Sequence, residues 1–180
     1  MRFLALFFLL AMACYGQALD LKDLDKLAAK ATEVTDVTLD GSLLRLGAKF
    51  LSADDPDQAK VKKLVAELKA VYVRTYDFDQ EGGYSEADLA SIRTQLRSPG
   101  WSRIVGVQSK KDHDNTEIFL KTGSEPGGLA IVCTNPKQLL VVNIVGKIDL
   151  DELSDLGGNF GIPKIDIEKK KPAPKKDSDK

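Results

Sequence analysis

The ten residues Leu139 to Ile148, LLVVNIVGKI, are apolar on both sides of an extended chain. Side chains alternate along a strand, so Leu140, Val142, Ile144 and Ile148 point one way and Leu139, Val141 and Val145 the other. Such a strand is normally central in its sheet and covered on both sides. The sequence must therefore supply neighbouring strands, and the residues before it do so. From Trp101 to Leu153 four apolar runs are separated by short polar or Gly/Pro-bearing turns. That is the pattern of an antiparallel meander followed by a helix start. Leu129 to Thr134 is the expected partner strand, joined through the turn Asn135-Pro136-Lys137. Asn143 is the strongly polar residue inside the central strand. If buried it needs hydrogen-bond partners, either in a neighbouring element or in a ligand pocket.

The earlier residues alternate helical and extended patterns. Leu21, Leu24, Leu27, Ala28 and Ala31 recur at helical spacing, with Asp20 placed as an N-cap. Glu33 to Asp40 reads as a strand. Gly41-Ser42 opens a second helix whose expected buried stripe is Leu43, Leu46, Gly47 and Phe50. After the loop Ser52 to Asp57, Pro56 suits a first helical turn. Val61, Leu64, Val65 and Leu68 then mark a third amphipathic helix. Ala70 to Phe78 is a strand rich in β-branched and aromatic residues. Ser85 and Asp88 resemble a capping box before a fourth helix through Leu89, Ile92, Arg93 and Leu96, which Ser98-Pro99-Gly100 ends. Asp149 or Asp151 caps a short fifth helix through Leu153 and Leu156, closed by Gly157-Gly158. The expected class is α+β: a mainly antiparallel sheet with a C-terminal four-strand meander and helices packed mostly on one face, with some cover on the second.

Both ends differ from this middle. Arg2, the apolar run Phe3 to Ala13 and the small residues of Gly16-Gln17-Ala18 make residues 1–18 a secretory signal. A second cleavage reading ends at Cys14 in Ala11-Met12-Ala13-Cys14, where the cysteine would receive a lipid. Residues 19–163 form the single expected domain. Residues 164–180 carry seven Lys against four acids and almost no apolar side chain after Ile167; such a tail is expected to be disordered. Membrane contact would come through a lipid on Cys14 or through this tail. Leu19 to Pro163 keeps 18 basic and 23 acidic residues, a mild acidity that argues against nucleic acid as a partner. Cleavage after Ala18 leaves Cys133 alone, which excludes an intrachain disulfide. In the apolar run around it, Cys133 is expected to be buried.

The candidate chemistry is sparse. Asp77 to Asp88 places Asp77, Asp79 and Glu81 at positions 1, 3 and 5, Gly82 at 6, Ser85 at 9 and Asp88 at 12. That spacing approaches a calcium loop, where alternating oxygens and a turning glycine wrap a hard cation. It reads either as a calcium site of Asp77, Asp79, Glu81 and Asp88 or as an acidic loop whose Ser85 caps the next helix. His113 is the one histidine and falls in an expected hairpin turn; a catalytic histidine needs a partner brought to it. No nucleophile elbow, zinc motif or P-loop occurs. Gly157-Gly158-Asn159-Phe160-Gly161 follows a helix, which suits a C-terminal cap and not a phosphate cradle. Trp101, Tyr72, Tyr76 and Tyr84 read as core or core edge before they read as a binding surface.

The order of these elements, with Gly100-Trp101, Ile104-Val105-Gly106-Val107, Leu139 to Ile144 and Gly146-Lys147-Ile148-Asp149-Leu150 plus Leu153, resembles the domain-of-unknown-function 4252 family of exported bacterial proteins. The resemblance spans Leu19 to Phe160. It implies an envelope or lipoprotein location and brings no activity or catalytic residues. The expected function is a non-catalytic envelope module in the periplasm, binding another envelope protein or a small ligand and needing no cofactor. A calcium-responsive module and a hydrolase using carboxylates alone are the alternatives. The junction between the meander and the loop Asp77 to Tyr84 is the expected place for any site.

Overall fold

The computed structural model describes residues 18–123 and 127–148. The signal segment with Cys14, the helix expected from Asp149 or Asp151, the Gly157-Gly158 cap and the Lys-rich tail lie outside the described residues. Six strands form one antiparallel sheet: β1 (Glu33–Asp40), β2 (Leu68–Asp77), β3 (Trp101–Gln108), β4 (Asn115–Lys121), β5 (Gly128–Asn135) and β6 (Gln138–Gly146). Their spatial order is β1-β2-β6-β5-β4-β3. The meander β3 to β6 is thus laid down from the far edge inward, and β6 zips onto β2 from Asp77↔Gln138 to Ala70↔Val145. The doubly apolar strand is interior because no charged side chain interrupts it between Leu139 and Val145.

The edges are built differently. β1 carries Glu33, Asp36 and Asp40, and β3 carries Arg103 and a register shift between Arg103 and Val105. Edge charges and bulges discourage pairing with a foreign strand. The shift also has a local consequence. Without the extra residue Arg103 and Val105 would share a face; with it they take opposite ones.

Lys22–Ala29 is a 3-10 helix. Leu21, Leu24 and Leu27 are spaced by three, which aligns them on one face at three residues per turn. Leu24 and Leu27 are fully buried. The N-cap is Leu21 and not the expected Asp20, which stands one residue earlier and accepts from the Lys22 N–H at 3.1 Å. This helix and α3 (Ala90–Leu96) supply Leu24, Leu27, Ile92 and Leu96 to one core with Tyr76, Leu139, Val141, Ala130 and Val132 from the sheet. These sheet residues share one face by register. The core therefore lies on one side of the sheet, as the α+β reading expects.

Two helices join β1 to β2. In α1 (Gly41–Ala48) Leu44 and Ala48 are buried, while Leu43, Leu46 and Phe50 are 49%, 51% and 83% exposed. This overturns the stripe expected from the sequence. Asp40, the last residue of β1, accepts from the N–H groups of both Ser42 and Leu43 at 2.7 and 2.9 Å. Strand passes into helix with no linker, so the end of β1 sets the phase of α1, and the inward positions become Leu44 and Ala48. In α2 (Pro56–Glu67) the expected Pro56 holds the first turn behind the Asp55 cap. Leu68, read as helical, instead opens β2.

Gly146 closes β6 where β2 begins. Its φ is 150°, and a Cβ there would stand 2.6 Å from Glu67 O and 2.7 Å from Leu68 Cα. Backbone, not a flexible side chain, fills the space, which accounts for glycine at the start of the Gly146 to Leu150 motif. We expect Gly146→Ala to destabilise the protein by about 1–3 kcal/mol in urea unfolding. A loss below about 0.5 kcal/mol would mean the β2–β6 junction can relax at little cost.

Candidate functional site

The acidic loop is not a cage. Asp77 Oδ1 accepts from Gln138 Nε2 at 2.6 Å across the β2–β6 pair. The Asp79 backbone N–H donates to Thr32 Oγ1, and Glu81 is exposed. Asp88 points toward the 3-10 helix, its Oδ1 3.0 Å from Lys26 Nζ. Its Oδ2 accepts from the Ser85 N–H at 2.9 Å and the Ser85 hydroxyl at 2.8 Å. Lys26 and then Ser85 pull the Asp88 pKa down to about 2. Among the described residues no three His, Cys, Asp or Glu side chains are grouped to hold a metal ion. A strand leads into the loop, and the turn before α3 takes Asp88, so the sequence spacing does not become convergence. The Ser85–Asp88 contact forms within the turn before α3, whose N-cap is Leu89, so Ser85 does not cap that helix as expected.

The junction of loop and meander is an open groove of about 290 Å3, lined by Gly82, Tyr84, Glu86, His113, Thr134 and Asn135 among others. The Tyr84 hydroxyl donates to Asn135 O at 2.6 Å, and its ring lies 5.5 Å from that of Phe78. Burial raises the Tyr84 pKa above the ordinary value. This tyrosine fastens the acidic loop to the β5–β6 turn. His113 is exposed at the tip of the β3–β4 hairpin with φ 57°, a left-handed conformation uncommon for a side chain other than glycine. Glu86, on the same rim, is held 2.9 Å from Arg93 Nε.

A cluster the sequence reading missed joins α3 to the far strands. Glu117 on β4 is buried, and its two oxygens accept from Arg93 of α3 and from Arg103 of β3, the latter at 3.0 Å. Burial alone would raise the Glu117 pKa, but the two guanidinium groups outweigh it and leave it lowered. Arg97 lines the same pocket of about 230 Å3 with Leu96 and Phe119. Removing one partner of such a pair strands a buried charge. The signal in the sequence is Glu117 two residues before Phe119, which puts a carboxylate on the core face.

Asn143 is fully buried. Its Oδ1 accepts from the Leu19 N–H at 2.9 Å, and its Nδ2 donates to Leu129 O at 3.3 Å. It ties the chain leading into the 3-10 helix to the centre of the sheet. Of the aromatic residues, Tyr76 is buried, while Tyr72, Tyr84 and Trp101 pack against the core edge. Lys121 Nζ lies 5.6 Å from the Trp101 ring centroid.

The second face of the sheet carries a continuous apolar row. Register places Val37, Val73, Val142, Ile131, Ile118 and Val105 side by side in one row across all six strands. Each is only half-buried. Val71, Leu140, Ile144 and Leu120 flank the row and are half-buried too, whereas Leu129 is buried. Val107 at the β3 edge is 60% exposed. Cys133 lies on this face half-buried, not enclosed as expected. The corresponding row on the covered face reads Asp36, Arg74, Val141, Val132, Glu117 and Gly106. Asp36, Arg74 and Glu117 thus share the face of the buried core cluster, and the unbroken β-branched row lies on the other. Exposed apolar areas of this extent mark interaction sites in soluble proteins.

A family model described as Domain of unknown function (DUF4252) matches residues 26–156. No curated protein matches the chain.

Two substitutions test these assignments. Asn143→Leu keeps the volume but orphans the Leu19 N–H. It should lower stability by about 1–3 kcal/mol and speed deuterium exchange in the 3-10 helix; unchanged exchange there would refute the tie. Asp88→Asn should destabilise by about 1 kcal/mol near pH 6. A lowered folded pKa contributes stability above the ordinary value of 3.8 that is lost as pH falls toward about 2. The difference between variant and parent in urea unfolding should therefore shrink across that window, and a difference independent of pH would contradict the Lys26 contact.

Proposed function

Because this chain belongs to the family described as Domain of unknown function (DUF4252), whose description assigns no activity, we propose its role from its surfaces: it is a non-catalytic interaction module of the bacterial cell envelope. The six-strand row from Val37 to Val105 supports the reading. The row is uncharged and continuous across the sheet, and each of its side chains keeps part of its surface in water. Apolar surface is stabilised by removal from water at about 25 cal/mol per Å2, and here much of that gain is left for a partner.

The titratable groups support the non-catalytic part. Asp36 pairs with Arg74, Asp88 with Lys26, and Glu117 with Arg93 and Arg103. Each pair fastens one element to another. His113 is the single histidine, and the Tyr84 hydroxyl beside its groove is engaged by backbone carbonyls. Export belongs to the same proposal and rests on Arg2, the apolar run Phe3 to Ala13 and Gly16-Gln17-Ala18. Periplasmic release after Ala18 and lipid attachment at Cys14 are its two forms.

A photo-crosslinking side chain placed at Val142, in that row, should give a discrete adduct in cells, recovered with the envelope fraction. The same group at Thr94, exposed on α3, should not. Equal labelling from both positions, or none from Val142, would count against the reading. So would robust turnover by the purified chain across a hydrolase panel.

A further inference from the structure

We infer that the pocket between α3 and the β3–β4 pair is a binding site for an oxyanion, a carboxylate or phosphate group carried on a short apolar body. Arg93, Leu96, Arg97, Arg103, Glu117 and Phe119 line it. The inference goes beyond the apolar row and does not depend on it.

Charge comes first. The lining holds three guanidinium groups and one carboxylate. Arg93 and Arg103 share Glu117, so two cations are held beside each other over a single buried anion. Glu86 engages Arg93 through Nε from outside the lining. The Arg97 guanidinium has no ion pair or hydrogen bond among the described residues. Fastening α3 to the sheet needs one cation on Glu117, and the pocket supplies three. Cations gathered around one cavity repel one another, and an anion placed between them reverses the sign of that interaction.

Geometry is the second argument. A guanidinium carries its N–H donors in a planar fork that fits carboxylate and phosphate oxygens in pairs. Arg93 spends Nε on Glu86 and Nη1 on Glu117, and Arg103 spends Nη1 on Glu117. Both Nη2 groups are left without an acceptor among the described residues. Arg97, the C-cap of α3, stands one helical turn after Arg93 and so shares its face. Arg103 comes from the facing strand, brought beside Glu117 by the β3 register shift, and its Cζ lies 3.5 Å from where a Cβ on Gly106 would stand. Glu117 fixes two of the three forks before a ligand arrives, which lowers the ordering cost of binding. Size is the third. Drug-sized ligands take cavities of about 300–1,000 Å3, and this one is about 230 Å3. It has room for a head group and a few carbons, and buried Leu96 and Phe119 give those carbons an apolar wall.

The test is isothermal titration of octanoate into the chain purified from the cells that make it. Saturable binding with a Kd of about 1 mM or tighter is expected. Arg97→Gln removes an exposed guanidinium; it should raise Kd by about tenfold or more and leave urea unfolding unchanged. Lys110→Gln, an exposed cation in the β3–β4 turn, should leave Kd unchanged. The absence of saturable binding at about 10 mM octanoate overturns the inference. So does binding that Arg97→Gln leaves unweakened, or that Lys110→Gln weakens equally. Vesicles then identify the source of the oxyanion. Competition with octanoate by phosphatidylglycerol vesicles, and not by phosphatidylcholine vesicles, assigns it to a lipid head group. Competition by inorganic phosphate and by neither vesicle assigns it to a soluble anion. Either result keeps the site.

Discussion

The pairing of β6 with β2 on one side and β5 on the other is what the rest of the structure depends on. It joins the N-terminal β-α-α-β unit to the C-terminal meander, and it brings Ala130, Val132, Val141, Leu139 and Tyr76 onto one apolar platform. The 3-10 helix and α3 close over that platform. Asn143 at its centre holds the Leu19 N–H, so the chain just before the 3-10 helix is tied to a strand more than a hundred positions away. Gly146 ends the strand where only a residue without Cβ fits against Glu67 and Leu68. A buried polar group with both functions satisfied specifies register at little net cost, which is why a lone asparagine can stand in an otherwise apolar strand.

A strand that is apolar on both faces creates a demand on each. One demand is met inside the chain by two short helices. On the other, Leu140, Val142 and Ile144 are half-buried, and the two faces divide their chemistry. Asp36, Arg74, Arg103 and Glu117 lie on the core side, where Glu117 locks α3 to β3 and β4. The other side carries Val and Ile in a continuous row. Association is one physical route by which such a face leaves water.

Much of the fold was legible in the residues. The alternation in Leu139 to Val145, the turn at Asn135-Pro136-Lys137 and the strand at Glu33 to Asp40 needed only period and turn chemistry. The family resemblance carried by Gly100-Trp101 and Gly146 to Leu150 agrees with the match to the family. Three features were not legible. The phase of α1 depends on Asp40 capping with no linker, and Leu43, Leu46 and Phe50 offer an equally good apolar stripe on paper. The calcium-like spacing of Asp77 to Asp88 says nothing about direction, and Asp88 is drawn to Lys26, a residue from a distant segment. Which face of β6 takes the core with α3 depends on where the crossover through α3 passes, and a local pattern of alternating apolar residues is the same for either face.

Cys133 offers the most direct measurement of the central claim, because it lies half-buried on the face of the apolar row. Its alkylation rate, read by mass at Cys133 alone, should be slower in the envelope fraction, where a partner covers that face, than in the purified chain. An equal rate in both would show no partner on the face, and the account of this protein as a surface-driven interaction module would be contradicted.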